Sequence, residues 1–359
     1  VARSVPVVRR PPSLTSQLGL TERIFARGED RELANAVDAG LAQVEEGLHR
    51  EMQFADNLAD VTARYLLEAG GKRVRPMLTL LAAQLGDGNL AGVIRAAEAV
   101  EITHLASLYH DDVMDDSQMR RGVPSAQSVW GNSVAVLTGD LLFARASKLV
   151  STLGERAIQL QADTFERLCL GQLHETIGPE DGEDPIEHYI RVLEDKTGSL
   201  IAVAAQMGIV FSNAPESYEQ PVVVFGEKIG VAFQIIDDVI DLSAQGVKET
   251  GKTPGNDLRA GVATLPVLRL RQLAETDAAA AALLERLERD VIGTAEEGEI
   301  TPEATAAIAA LRDHPVTADT LAEAHRWARE AVEALDALPD GPVKKALIRF
   351  ADTIVERSS

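Results

Sequence analysis

This sequence has almost nothing with which to cross-link itself. Of its 359 residues one is cysteine, Cys169, so no disulfide can close within the chain, and a reducing, cytoplasmic setting is expected. Aromatic residues supply 4% of the chain; Ala and Leu carry the apolar content instead, which favours helices. Basic residues are scarce, 35 against 56 acidic ones, for a formal net charge of −21. Nucleic acid is therefore not an expected partner, because a phosphate backbone needs a basic surface. No apolar run is long enough to span a bilayer, so no transmembrane segment is expected. Residues 1–13 hold Arg and Pro but no apolar core of the signal-peptide kind. Residues 1–30 are expected to be a tail, disordered at least to residue 13.

What is present is helical. Hydrophobic residues make up 45% of the chain, enough for a large core, and no linker-like stretch interrupts the middle. Helical periodicity covers residues 31–67 as two helices, then 77–85, 90–116, 133–153, 156–177, 186–211, 221–243, 262–289, 301–312 and 316–357. Along 90–116, Val93, Ala97, Val100, His104 and Leu108 drift along one face. No strand pattern stands out, and residues 122–132 read as a loop. The expected fold is all-α, a single large bundle over residues 31–359. Residues 244–261, rich in Gly, Lys, Pro and Asn, are too long and polar for a simple connection and are expected to form a lid.

The chain is organised around residues 110–122, HDDVMDDSQMRRG. Asp111, Asp112 and Asp115 form a D-D-x-x-D pattern, and residues four apart on a helix lie one above the other. Asp111 and Asp115 then present adjacent carboxylates, which resist joint ionisation unless a cation joins them. An all-oxygen ligand set suits a hard ion such as Mg²⁺, which usually carries substrate phosphate on its open side. A solvated acidic face is the bland alternative. It weakens because Asp237, Asp238 and Asp241 rebuild the pattern in IDDVIDL, inside a nearly apolar segment, 222–242. Carboxylates in an apolar helix normally need partners, and a metal cluster shared between two helices would supply them.

Cations gather nearby in the sequence. Arg120 and Arg121 follow the first motif. The loop GGKRVRP, residues 70–76, packs Lys72, Arg73 and Arg75 before a helix N-terminus, a ready anion site. Lys196 and Thr197 lie in EDKTGSL, Gln234 one turn before the second motif, and Lys252 in the expected lid; each alone is weak, and Asp257 reads equally well as a helix cap. Together these residues describe metal-held and cation-held diphosphates inside an apolar bundle. No nucleophile–base pair is evident, which favours carbocation chemistry on an apolar diphosphate ester.

In these motifs the sequence resembles the trans-isoprenyl diphosphate synthases, or polyprenyl synthetases. GGKRVRP, EITHLASLYHDDVMDDSQMRRG, WGNSVAVLTGDLL, GQLHE, EDKTGSL, AFQIIDDVID and GKTPGNDL occur in the family's order. The resemblance implies an all-α homodimer that condenses isopentenyl diphosphate head-to-tail with an allylic prenyl diphosphate. It implies that Lys72, Arg75, His104 and Arg121 bind isopentenyl diphosphate, and that Arg120, Lys196, Thr197, Gln234 and Lys252 bind the allylic diphosphate. Asp111, Asp115 and Asp237 would hold Mg²⁺, supported by Asp112, Asp238 and Asp241, with Lys196 also in the catalytic group. The departing diphosphate would take the final proton. Val262 stands where many members have Lys, which puts one peripheral phosphate contact in doubt.

Product length follows from the same resemblance. Bulky residues just before the first Asp motif shorten the product in this family. Here Ala106 and Ser107 lie one turn before it, with Thr103 and Val100 beyond, and none is aromatic. A long-chain polyprenyl diphosphate, a quinone side-chain precursor released through peripheral membrane contact, is expected; the alternative is a C20 product set by a plug from another helix. Rival readings fare worse. A terpene cyclase would lack the basic loop and the second D-D-x-x-D. A ferritin-like di-metal oxidase would use E-x-x-H pairs, which occur as Glu46/His49 and Glu101/His104, but it leaves both Asp motifs unexplained. A silent partner subunit should have lost those motifs.

Overall fold

A computed structural model describes residues 28–243, 254–294 and 300–356. The expected tail up to residue 27, most of the expected lid and Lys252 lie outside the described residues. The helices are α1 Gly28–Glu51, α2 Asn57–Glu68, α3 Val74–Ala83, α4 Ala91–Met114, α5 Ala126–Trp130, α6 Asn132–Ser151, α7 Glu155–Ile177, α8 Pro185–Leu193, α9 Ser199–Phe211, α10 Glu219–Asp241, α11 Asn256–Arg259, α12 Leu265–Ala274, α13 Ala278–Asp290, α14 Pro302–Arg312, α15 Pro315–Ala334 and α16 Pro342–Glu356. The all-α expectation holds, with one local exception. Residues 122–132 are not a plain loop: β1 Met119–Arg120 pairs antiparallel with β2 Val123–Pro124, and α5 follows.

The helix ends follow capping chemistry. Asp56 accepts from the Leu58 and Ala59 N–H groups to start α2, and Asp184 accepts from Ile186 N–H ahead of Pro185 at the start of α8. Asp277 corrects the expectation of one helix over 262–289. Its carboxylate accepts from Ala279 and Ala280 N–H at 2.8 and 2.9 Å, which starts α13 anew. Likewise 316–357 divides, because Leu338–Gly341 and Pro342 cannot continue a helix. The expected helix 186–211 is interrupted by a π turn, Glu194–Gly198.

The chain falls into two compact units. The first comprises Val1–Glu166, Ser199–Gly226 and Ala334–Phe350; the second comprises Arg167–Gly198, Glu227–Glu333 and Ala351–Ser359. In the first, α4 packs against α6, α3, α9 and α1. Its buried residues lie on every side, from Val93 and Ala97 to Leu105 and Tyr109, rather than along one stripe. That is the signature of a central helix. Tyr109 ties α4 to α2, its hydroxyl donating to Thr62 O and accepting from Leu66 N–H, and Trp130 packs edge-on against Tyr65. In the second unit Val267, Leu270, Leu283, Leu287, Ile308 and Leu311 form the core, and Lys228 sits over the Trp327 ring.

Candidate active site

Each Asp motif ends a helix. In the first unit α4 stops at Met114, and the Asp115 N–H caps it on Asp111 O at 2.8 Å. In the second unit α10 stops at Asp241. A helix C-terminus carries partial negative charge, so three carboxylates there add to an already unfavourable field. Cations must offset it. The sequence placed these residues on helix faces; it did not show that both clusters sit at the negative pole.

Asp112 is fully buried, and Arg120 clamps it through Nε at 2.7 Å and Nη2 at 2.6 Å. Arg120, expected at the allylic diphosphate, thus also holds the first motif in shape. Its neighbour Arg121 donates to Leu66 O at 2.8 Å and to Gly70 O, which fastens the basic loop. Arg73 belongs to that loop but is spent elsewhere. It pairs with Glu45 at 2.9 and 3.1 Å and with Glu101 at 3.1 Å. Burial would lower its pKa, but the Glu101 and Glu45 carboxylates outweigh that and raise it. Gly71 is required here, because a Cβ would lie 2.6 Å from Arg73 Nη1 and 3.1 Å from Arg121 Cζ.

What remains in the basic cluster is unbalanced charge. Arg75 Nε is buried without a hydrogen-bond partner among the described residues. Burial lowers the Arg75 pKa, against the pull of Glu101 and Asp111. Arg121 is brought down to about 10, by burial first and then by Arg73, Arg75 and Arg120 against Glu101. His104 is held well below its ordinary value by burial and by Arg75, Arg121, Arg120 and Arg73. An anion near His104 would relieve this repulsion, so the arrangement is built for one. The structure thereby brings together Arg75, His104, Arg120, Arg121 and the first Asp motif; Lys72 is exposed on the same loop.

In the second unit Lys196 and Thr197 sit on the π turn, a feature common at functional sites. Lys196 pairs with Glu175. Asp238 is buried, and it accepts from Gln234 Nε2 at 3.0 Å and from the Tyr189 hydroxyl. Burial and the Asp257 charge push its pKa well up, against those hydrogen bonds. Gln234 is thus a support for the motif itself. Asp241 also holds the far side of the expected lid: Gly255 N–H donates to Asp241 O at 2.8 Å and Asp257 N–H to Asp241 Oδ2 at 3.1 Å. The N-cap of α11 is Gly255, so Asp257 lies inside the first turn rather than capping it. Tyr189 was not anticipated; its one sequence signal is its place two turns before Lys196.

The oxidase reading fails on the same geometry. Glu101 is committed to Arg73, Glu46 is exposed and His49 faces Glu45 at 3.7 Å.

The family model of the polyprenyl synthetases matches residues 56–299. Nonaprenyl diphosphate synthase of Mycobacterium tuberculosis is 40% identical over 351 residues, 98% of this chain and 99% of its own. Among solved structures, geranylgeranyl pyrophosphate synthase of Corynebacterium glutamicum, complexed with calcium and isoprenyl diphosphate, superposes with a TM-score of 0.79 at 40% identity, over 93% of this chain and 99% of its own. Decaprenyl diphosphate synthase of Rhodobacter capsulatus gives 0.79 at 33% identity, over 92% and 99%. With two Asp motifs closing two helices, a cation cluster around His104 and this likeness over nearly its whole length, the chain belongs to the polyprenyl synthetase family.

Proposed function

We infer that the chain is a trans-prenyltransferase that adds isopentenyl diphosphate head-to-tail to an allylic prenyl diphosphate. The observation that carries this reading is the pairing of the first carboxylate cluster, at a helix C-terminus, with cations left unbalanced around His104. The carboxylates offer only oxygen and sit in a negative helix field, so they fit a divalent metal. We assign Asp111, Asp115 and Asp237 to Mg²⁺, with Asp112, Asp238 and Asp241 holding them in place. When bound, the metal neutralises the allylic diphosphate as a leaving group. Arg120, Lys196, Thr197, Gln234 and Lys252 orient that diphosphate; Lys72, Arg75, His104 and Arg121 hold isopentenyl diphosphate. His104, kept neutral by burial and by its cationic neighbours, donates a hydrogen bond without adding charge. The allylic carbon–oxygen bond breaks, the isopentenyl double bond attacks the carbocation, and the released diphosphate takes the proton.

The tail is proposed to run along α4 from Asp111 past Ala106 and Thr103. Ala106 and Thr103 are buried and small, which favours a long-chain product, as does the nonaprenyl relative; the geranylgeranyl relative keeps the C20 alternative open to test. Homodimer formation is part of the proposal: α6 exposes Leu137 and Leu141, and α7 exposes Ile158 and Phe165, an apolar surface a second copy would cover. Among the described residues no helix is long and apolar enough to cross a membrane; cytoplasmic location with peripheral membrane contact at product release remains the expectation. The test is incubation with isopentenyl diphosphate, each allylic primer and Mg²⁺, with mass analysis of products. Asp111→Asn or Asp237→Asn should nearly abolish condensation while the protein stays folded. Full activity in either variant, or in EDTA, contradicts the reading.

A further inference from the structure

The first Asp motif straddles the end of its helix. Asp111 and Asp112 lie on the last turn of α4, but Asp115 is the C-cap, with φ −89° and ψ 0°, outside the helical region. Helix geometry therefore fixes Asp111 but not Asp115, whose place is set by the turn after Met114. That turn passes through Asp116 at φ 47°, a left-handed conformation that a non-glycine residue adopts only at a cost. Two backbone bonds shape it: Asp115 N–H donates to Asp111 O at 2.8 Å, and Ser117 N–H to Asp112 O at 2.9 Å. From α5, Gln127 reaches the same turn. Its Nε2 donates to Ser117 O at 3.0 Å and, at the longer distance of 3.4 Å, to Asp116 Oδ1. Gln127 is buried, 7% exposed, and its Oε1 has no hydrogen-bond partner among the described residues.

We propose that Gln127 is a positioning residue: by bracing the turn at residues 115–117 it holds Asp115 where its carboxylate shares a cation with Asp111. This rests on the prenyltransferase reading above, which gives both carboxylates to Mg²⁺. Gln127 acts on the two residues that follow Asp115, one in a strained conformation and one whose N–H closes the turn. The other side chain on this turn, Gln118, reaches Asp116 O at 3.2 Å from an exposed position, where water can take its place. A buried amide with a bare oxygen costs stability, and an apolar side chain of like size would avoid that cost. What the amide supplies in return is two donor hydrogens, aimed at the stretch of the motif that the helix leaves loose. Asp111 and Asp115 repel each other until a cation joins them, so this is the stretch that needs a brace.

The test begins with the metal-free, full-length protein. In EDTA, Gln127→Leu should melt no lower than the parent, because the bare Oε1 is gone. Amide exchange over residues 115–118 should nonetheless speed up roughly two- to tenfold, the scale of one hydrogen bond. With an allylic primer and isopentenyl diphosphate supplied, the Mg²⁺ concentration for half-maximal rate should rise by the same factor. The KM for isopentenyl diphosphate should not change. Adding Asp116→Gly to Gln127→Leu should return the Mg²⁺ dependence to within about twofold of the parent, because glycine enters the left-handed region freely. Gln127→Met repeats the series if Gln127→Leu does not fold. Unchanged exchange and Mg²⁺ dependence overturn the proposal, as does a double variant no better than Gln127→Leu. A lower melting temperature with equal losses for both substrates also overturns it, by making Gln127 a packing residue. If the parent condenses nothing with any primer, the prenyltransferase reading falls and this inference with it; the exchange result, which needs no turnover, tells that failure from a failure of the brace.

Discussion

The Tyr189 hydroxyl donates to the buried carboxylate of Asp238. That one contact joins α8, which leads into the π turn bearing Lys196 and Thr197, to the Asp motif at the end of α10. Gln234 completes the support from one turn back on α10 itself.

Tyr189→Phe should therefore loosen the second motif without emptying the core. An ordinary intramolecular hydrogen bond is worth about 0.5–1.5 kcal/mol, so kcat/KM for the allylic substrate should fall roughly two- to tenfold. The Mg²⁺ concentration for half-maximal rate should rise, while the KM for isopentenyl diphosphate stays put. Equal losses for both substrates, or none, would reduce Tyr189 to a packing residue.

Arg75→Ala acts on the other diphosphate. The KM for isopentenyl diphosphate should rise roughly tenfold or more, the scale of a lost charge-assisted hydrogen bond. A spectroscopic readout accompanies it. After burial, Arg75 is the first of the charges that depress His104; its removal should move the His104 titration upward in an NMR experiment on the free enzyme. A downward shift would mean that His104 does not feel this cation.

Ala106 is fully buried, so Ala106→Phe places a ring in a closed wall at a cost of about 1–3 kcal/mol. Product should shift to C15 or C20 while the first isopentenyl unit is still consumed. A folded variant with unaltered products would route the tail elsewhere.

Glu98 provides a test in pH. It is buried against Gly47 and Arg50, and burial, only partly opposed by Arg50, pushes it up to about 7 from an ordinary 4.5. Between those values the folded chain holds a proton that the unfolded chain has lost, so this group's contribution to stability falls as pH rises through that window. Glu98→Gln should abolish the loss. Unfolding free energies from denaturant titrations should favour the variant by about 3 kcal/mol above pH 7, and converge with the parent near pH 4.

Much of this was legible in the sequence because spacing is a geometric quantity. D-D-x-x-D fixes two carboxylates one turn apart whatever surrounds them, and GGKRVRP fixes a basic turn ahead of a helix. What spacing cannot convey is which cation is already spent. Lys72, Arg73 and Arg75 look alike in a string of letters, yet Arg73 is locked between Glu45 and Glu101, partners far away in the chain. The helix breaks at Asp277 and at Pro342 carried ordinary capping signals that the long apolar periodicity masked. The π turn carried none, and the close approach of Gly230, where a Cβ would lie 2.7 Å from Gly198 Cα, is equally invisible in the sequence. Tyr189 is a single polar residue in a helix, and only its hydrogen bond to Asp238 distinguishes it from a solvated face.

The chain's two tryptophans are divided between the compact units: Trp130 against Tyr65 in the first, Trp327 beneath Lys228 in the second. Nature has thus installed one optical reporter in each half. Trp130→Phe and Trp327→Phe leave each unit in turn as the sole indole emitter. Denaturation traces from the pair should overlay if residues 31–359 melt as a single cooperative body. Separate midpoints would divide the protein into two folding units, and would show which Asp motif outlasts the other.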